Sequence, residues 1–209
     1  MRLRWLALLT WLAVPAFASA DEEGPDVTMK GVLSGDGVRF GPATGSATTI
    51  AQTVQVKGDR VRIDFAANGR GGAVFRQGDK AWLVSLEQRV AFALPASPAG
   101  RMWMVNPQEP CHAAGFPCAA TGQLKKVAGV QARELRFHDA GTQGPDGTDR
   151  GSLWIDADSG AVLSFDAQDV SHRQHAWLAS SVSYSPLPDS TFVIPQGVHA
   201  VPGHKPDKH

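Results

Sequence analysis

From Ile50 to Leu94 apolar residues recur at every second position and are interrupted by short, often glycine-bearing breaks. This is the pattern of consecutive half-buried β-strands joined by tight turns. Ile50, Val54 and Val56 share one parity before Lys57–Asp59 reverses the chain. In the next strand Val61, Ile63 and Phe65 alternate with Arg60, Arg62 and Asp64, so one face is apolar and the other charged. Asn68-Gly69, Gly78-Asp79 and Glu87-Gln88 mark further reversals, which predicts strands near Ala73–Arg76, Ala81–Leu86 and Arg89–Leu94. Trp82, Val84 and Leu86 alternate in the second of these, and Val90, Phe92 and Leu94 in the third.

Ser97-Pro98 offers a helix cap followed by proline at the first helical position, and Pro107 stops continuation. A helix of about two turns around Met102-Trp103-Met104 is expected between them. Strand patterns resume at Val130–Phe137, Leu153–Ile155, Val162–Phe165 and Ala176–Tyr184, and the segment from Asp21 to Gly45 reads as strand and loop. The expected fold is mainly β, formally α+β: a curved antiparallel sheet with one or two short helices. Residues 21–195 form its single domain, and 196–209, with three histidines and few apolar positions, are expected to be a disordered tail.

A long meander with one apolar face must bury that face, either by curling around its own interior or by receiving another layer. Curling creates a concave lining. For it the sequence offers Val61, Ile63, Phe65, Trp82, Val84, Leu86, Phe92, Met102, Trp103 and Met104 as candidate walls of an apolar ligand site. The same residues would serve an ordinary filled core.

The first twenty residues place Arg2 and Arg4 ahead of an apolar run from Trp5 to Val14, then Pro15 and Ala18-Ser19-Ala20. These are the parts of a cleavable secretory signal, and the run is too short to cross a bilayer core of roughly 30 Å. The mature chain carries no transmembrane segment on this reading and is expected in the periplasm. Losing Arg2 and Arg4 takes the 20 basic residues to 18 against 20 acidic ones, so no positive field favours nucleic acid. Cys111 and Cys118 both lie in the mature part, and an oxidising compartment favours a disulfide between them over a redox or metal pair.

No reaction chemistry emerges. His172 and His175 are spaced as metal ligands on a helix would be, yet they run into a strand pattern, where positions three apart face opposite ways. Asp156–Gly160 has the beginning of a calcium loop without its closing glutamate, and fits a hairpin turn with Gly160 left-handed. Glycine-flanked serine, zinc-helix, Walker and dinucleotide motifs do not occur. The expectation is a non-enzyme with no metal and no cofactor.

Taken in order, VQVKGDRVRIDF, GDKAWLVSLEQRVAFALP, KKVAGVQARELRF, GSLWIDADSGAVLSFD and LPDSTFVIP resemble the LolA-like superfamily, the periplasmic lipoprotein carriers and outer-membrane lipoprotein-sorting-like proteins. The resemblance spans about Thr49 to Pro195. It implies a curved, half-open antiparallel barrel closed by helices, whose apolar concave face receives an acyl chain, a lipidated protein or a hydrophobic segment of a partner, without catalysis. The alternative on the same fold is an envelope sensor or scaffold with a filled core that binds a protein, and a further one is an enzyme whose residues are assembled only by folding. One departure stands out: the carriers begin with an amphipathic helix, where this chain has the glycine-rich DEEGPDVTMKGVLSGDGVRFGPATG. Arg60 and Arg62 are the basic residues closest to the carriers' interior arginine, and their parity sets them opposite Val61 and Ile63.

Overall fold

A computed structural model of the chain describes residues 24–38, 49–67, 69–94, 103–112 and 115–201. Twelve strands form one sheet: β1 (Val27–Ser34), β2 (Thr49–Lys57), β3 (Arg60–Ala67), β4 (Arg70–Gln77), β5 (Lys80–Ser85), β6 (Val90–Leu94), β7 (Cys118–Val127), β8 (Val130–Phe137), β9 (Arg150–Asp156), β10 (Val162–Gln168), β11 (Gln174–Ser183) and β12 (His199–Val201). Their spatial order is β12-β6-β5-β4-β3-β2-β1-β11-β10-β9-β8-β7. Every pairing is antiparallel except that of β12 with β6. Two hairpin meanders, β2 to β6 and β7 to β11, are thus joined through β1, and the sheet does not close on itself.

The sheet is strongly bent. Leu94 of β6 and Phe165 of β10 border one cavity although seven strand spacings separate them, roughly 34 Å in a flat sheet at about 4.8 Å each. Register defines the inner face. Val27, Met29 and Leu33 of β1 pair with Val56, Val54 and Ile50 of β2, and Val56 and Val54 pair in turn with Val61 and Ile63 of β3. Phe165 of β10 pairs with Trp177 of β11 and Leu153 of β9, and Leu153 with Leu135 of β8. These residues form the main core, and most are fully buried.

A second apolar layer lies on the outer face of β3 to β6. Ala73, Phe75, Val84 and Ala91 are buried there, with Trp82, Ile194 and Val198 packed against them. The covering segment follows β11 and is held by the charged face of β2 and β3. Asp189 accepts from Lys57 at 3.0 Å and Arg60 at 3.1 Å, Arg62 donates to the Thr191 carbonyl at 3.1 Å, and Lys57 donates to the Leu187 carbonyl at 2.8 Å. Arg60 also lies over the Phe192 ring and Arg62 over Phe75. The arginine parity read from the sequence is correct, and its consequence is an outer face that is covered rather than wet.

Two expectations need correction. Among the described residues there is no α-helix, only 3-10 turns at Pro145–Gly147 and Asp189–Phe192. The described part of the expected Ser97–Pro107 helix is a strap instead, while Met102 and the residues before it from Pro95 lie outside the described residues. The Val105 amide donates to the Gly160 carbonyl and the Val162 amide to the Trp103 carbonyl, both at 3.0 Å, so cross-chain pairing replaces helical bonding. Gly160, at φ 78°, permits this approach, because a Cβ there would collide with the Val105 carbonyl oxygen. The chain after Pro195, expected to lack structure, adds β12, whose His199, Ala200 and Val201 pair with Val90, Ala91 and Phe92. The free backbone edge of β6 supplies the bonds that side chains do not.

Candidate functional site

The strap crosses the concave face and divides it. Trp103 packs edge-on against Trp177 with ring centroids 5.2 Å apart. On one side lies a cavity of about 290 Å³ lined by Leu33, Gln52, Ile63, Phe65, Val74, Leu94, Trp103, Pro145, Asp146, Val162 and Phe165. On the other, toward the β2–β3 and β4–β5 turns, is one of about 320 Å³ bordered by Val56, Gly58, Asp59, Val61, Arg76, Gly78, Trp103 and Met104. The first wall is mostly apolar and the second is more polar. Among the described residues, Trp103 is the one shared by the two walls. Cys111 and Cys118 form a disulfide that ties the far end of the strap to the start of β7.

One end of the apolar cavity is built by the loop between β8 and β9. Asp146 stands there in a left-handed conformation, φ 51°, and its Oδ2 lies 2.7 Å from Nδ1 of His175. His175 is buried beneath Gly37, where any Cβ would collide with the imidazole. Its Nε2 has no hydrogen-bond partner and lies 3.5 Å from Asp169. The hydrogen bond to Asp146 raises the His175 pKa above the usual value despite burial, with further help from Asp169. Burial opposes ionisation of Asp169, but the Arg173 guanidinium and the amides of Arg173 and Ser171 outweigh it and hold the carboxyl far below the usual range. His175 therefore serves to fix Asp146 at the cavity rim.

The sequence-derived lining is split by register. Ile63, Phe65 and Trp103 border the apolar cavity, and Val61, Trp103 and Met104 the second one. Trp82 and Val84 pair with Phe75 and Ala73, so they belong to the outer layer under the covering segment. Leu86 sits in the β5–β6 turn and is 44% exposed. Phe92 has inner parity through Leu83 and Val74, yet it is 37% exposed and borders neither cavity. His172 is exposed while His175 is buried, and no cluster of three metal-ligating side chains occurs among the described residues.

Leu33, Gln52, Val74, Leu94, Asp146, Val162 and Phe165 were not anticipated. Parity with Ile50 and Ile63 could have found Gln52 and Val74. Arg133 is another omission: it pairs with Ile155, shares parity with Leu135 and Phe137, and thus points to the inner face, where its Nε and Nη2 are buried without partners. Arg60 and Arg62 are engaged outside, so among the described residues the basic side chains on the inner face include Arg133 and also Arg76, which pairs with Val61 and borders the second cavity.

No family model matches the chain, and a search of curated proteins finds no match. Solved structures do match. The fold is similar to that of an uncharacterised conserved protein from Thermus thermophilus, with a TM-score of 0.55 at 10% identity, over 86% of this chain and 91% of that one. It is also similar to a LolA superfamily protein from Nitrosomonas europaea, with a TM-score of 0.40 at 12% identity over 81% and 90%. MucB in the Pseudomonas aeruginosa MucA/MucB complex gives a TM-score of 0.47 at 16% identity, over 84% of this chain but only 58% of that one. At 10% identity, what the chain shares with the Thermus thermophilus protein is the fold.

Proposed function

We propose that this protein is a periplasmic, non-catalytic binding protein that takes an acyl chain, or the lipidated or hydrophobic segment of a partner, into the cavity between β3, β4 and β10. The observation that carries this reading is the cavity itself: about 290 Å³ bordered by Leu33, Ile63, Phe65, Val74, Leu94, Val162 and Phe165. Ligand pockets start at roughly 300 Å³. Each buried methylene contributes about 0.8 kcal/mol, so ten of them yield about 8 kcal/mol before ordering costs. The Cys111–Cys118 disulfide supports placement in an oxidising envelope compartment.

Native mass spectrometry of the protein isolated from its own envelope fraction tests this. A co-purifying acyl species, lost in Ile63→Asp, supports the proposal; a bare mass that dodecanol does not shift contradicts it. A second reading, binding of a protein through the outer face, draws on the cross-strand pair Val32–Leu178, which is 40% and 58% exposed and continues into exposed Ala51 and Ala66. That reading gains if the cavity stays empty while Leu178→Asp abolishes capture of a partner.

A further inference from the structure

The apolar cavity is not uniform, and the one ionisable group among the described residues of its wall is acidic. Among the described residues that border it, Asp146 is the only ionisable one, and neither lysine nor arginine is present. One carboxylate oxygen of Asp146 is held by His175 at 2.7 Å, while the other accepts no hydrogen bond among the described residues. Gln52, on the opposite wall, carries a buried side-chain oxygen that likewise has no partner. Both are acceptors. Leaving the buried Gln52 oxygen unpaired is unfavourable, and the Asp146 carboxylate at the rim attracts a donor, so the cavity is set to receive a group that donates.

The frame around Asp146 is rigid. Its left-handed backbone, the hydrogen bond from His175 and the packing of Gly37 on the imidazole fix the carboxylate at the rim. An amphiphile entering chain first would leave its head group there, partly hydrated, because the Asp146 side chain is 38% exposed. An acidic head in that place would meet a carboxylate with no cation on the cavity wall.

We infer that the cavity selects amphiphiles whose head donates hydrogen bonds, namely hydroxyl, amide N–H or ammonium, and disfavours carboxylate heads on the same chain. This inference rests on the apolar-chain reading above and narrows it to a ligand class. Acceptor-only heads fall between the two groups, since they repel nothing but leave Gln52 and Asp146 unpaired.

The test compares four twelve-carbon probes by displacement of an apolar fluorophore, at pH 7 and about 0.15 M salt, where fields from distant surface charges are screened. Dodecanol and dodecylammonium are expected to bind about tenfold more tightly than dodecanoate, the equivalent of one good hydrogen bond or one avoided repulsion, with dodecyl methyl ether in between. Asp146→Asn keeps an oxygen for His175 and should bring dodecanoate to within about threefold of dodecanol. Gln52→Leu, remote from the His175 contact, should erase the advantage of dodecanol over the ether. Dodecanoate binding as tightly as dodecanol to the unaltered protein, or selectivity unchanged in both variants, overturns the inference while leaving the apolar cavity intact. Failure of all four probes to bind overturns both.

Discussion

Trp103→Ala is the most informative single change, because this residue forms the partition between the two concave cavities. Truncation removes the edge-on contact with Trp177, worth about 0.5–1.5 kcal/mol, and part of the burial of a large aromatic. Full Trp→Ala deletions in cores cost about 3–5 kcal/mol, and Trp103 is only partly buried, so a loss near 3 kcal/mol is expected. For a domain of this size that lowers Tm by roughly 6–12 °C. The gain is space. The cavities of about 290 and 320 Å³ would join into one of roughly 600 Å³, well inside the usual range for ligand pockets. Denaturant melts and calorimetric titration with alcohols of eight to eighteen carbons read both effects. A folded variant should shift its optimum to longer chains, whereas an unchanged chain-length profile would refute the partition.

Other consequences follow from the same geometry. Val84→Asp puts an unpaired charge at a fully buried position of the outer layer and should cost more than about 3 kcal/mol, while Leu86→Asp, 44% exposed, should cost under about 0.5 kcal/mol; circular-dichroism melts showing equal effects would undo the face assignment. Reducing the Cys111–Cys118 bridge should lower stability by about 2.5 kcal/mol from its eight-residue loop and loosen the strap, read as a drop in the urea midpoint and faster hydrogen exchange at Val105. The His175 pKa is raised on folding, so its contribution is complete below about pH 6.5 and is lost as pH rises through the higher folded value. Stability of the protein minus that of His175→Gln should therefore shrink with rising pH above neutrality; a difference that grows would contradict the Asp146–His175 pairing.

How far the fold was legible in the sequence depended on exposure. Strands with one polar face, such as Arg60–Ala67, announce themselves because Val61, Ile63 and Phe65 alternate with charges. Cys118–Val127 escaped notice because it is an edge strand whose residues are nearly all exposed, leaving no apolar period to detect. The Asp156–Gly160 turn was readable, and Gly160 has the left-handed φ the turn requires. The lining was half legible for a different reason. Alternation separates two faces without saying which is inner, and Phe75 and Val74 give β4 apolar groups on both. Trp82 and Val84 went to the wrong face because the segment that covers them, around Ile194 and Val198, is more than a hundred residues away in the chain. Sequence distance also hid Asp146, whose partner His175 is 29 residues further on.

Methyl NMR during a dodecanol titration tests the central claim most directly, since it reports the occupied face residue by residue. The account predicts saturable shifts, with contacts to the alkyl chain, at the methyl groups of Ile63, Val74, Leu94 and Val162, and none at Val32 or Leu178. Shifts confined to Val32, Leu178 or the Val84 layer, with Ile63 and Val162 silent, would contradict it.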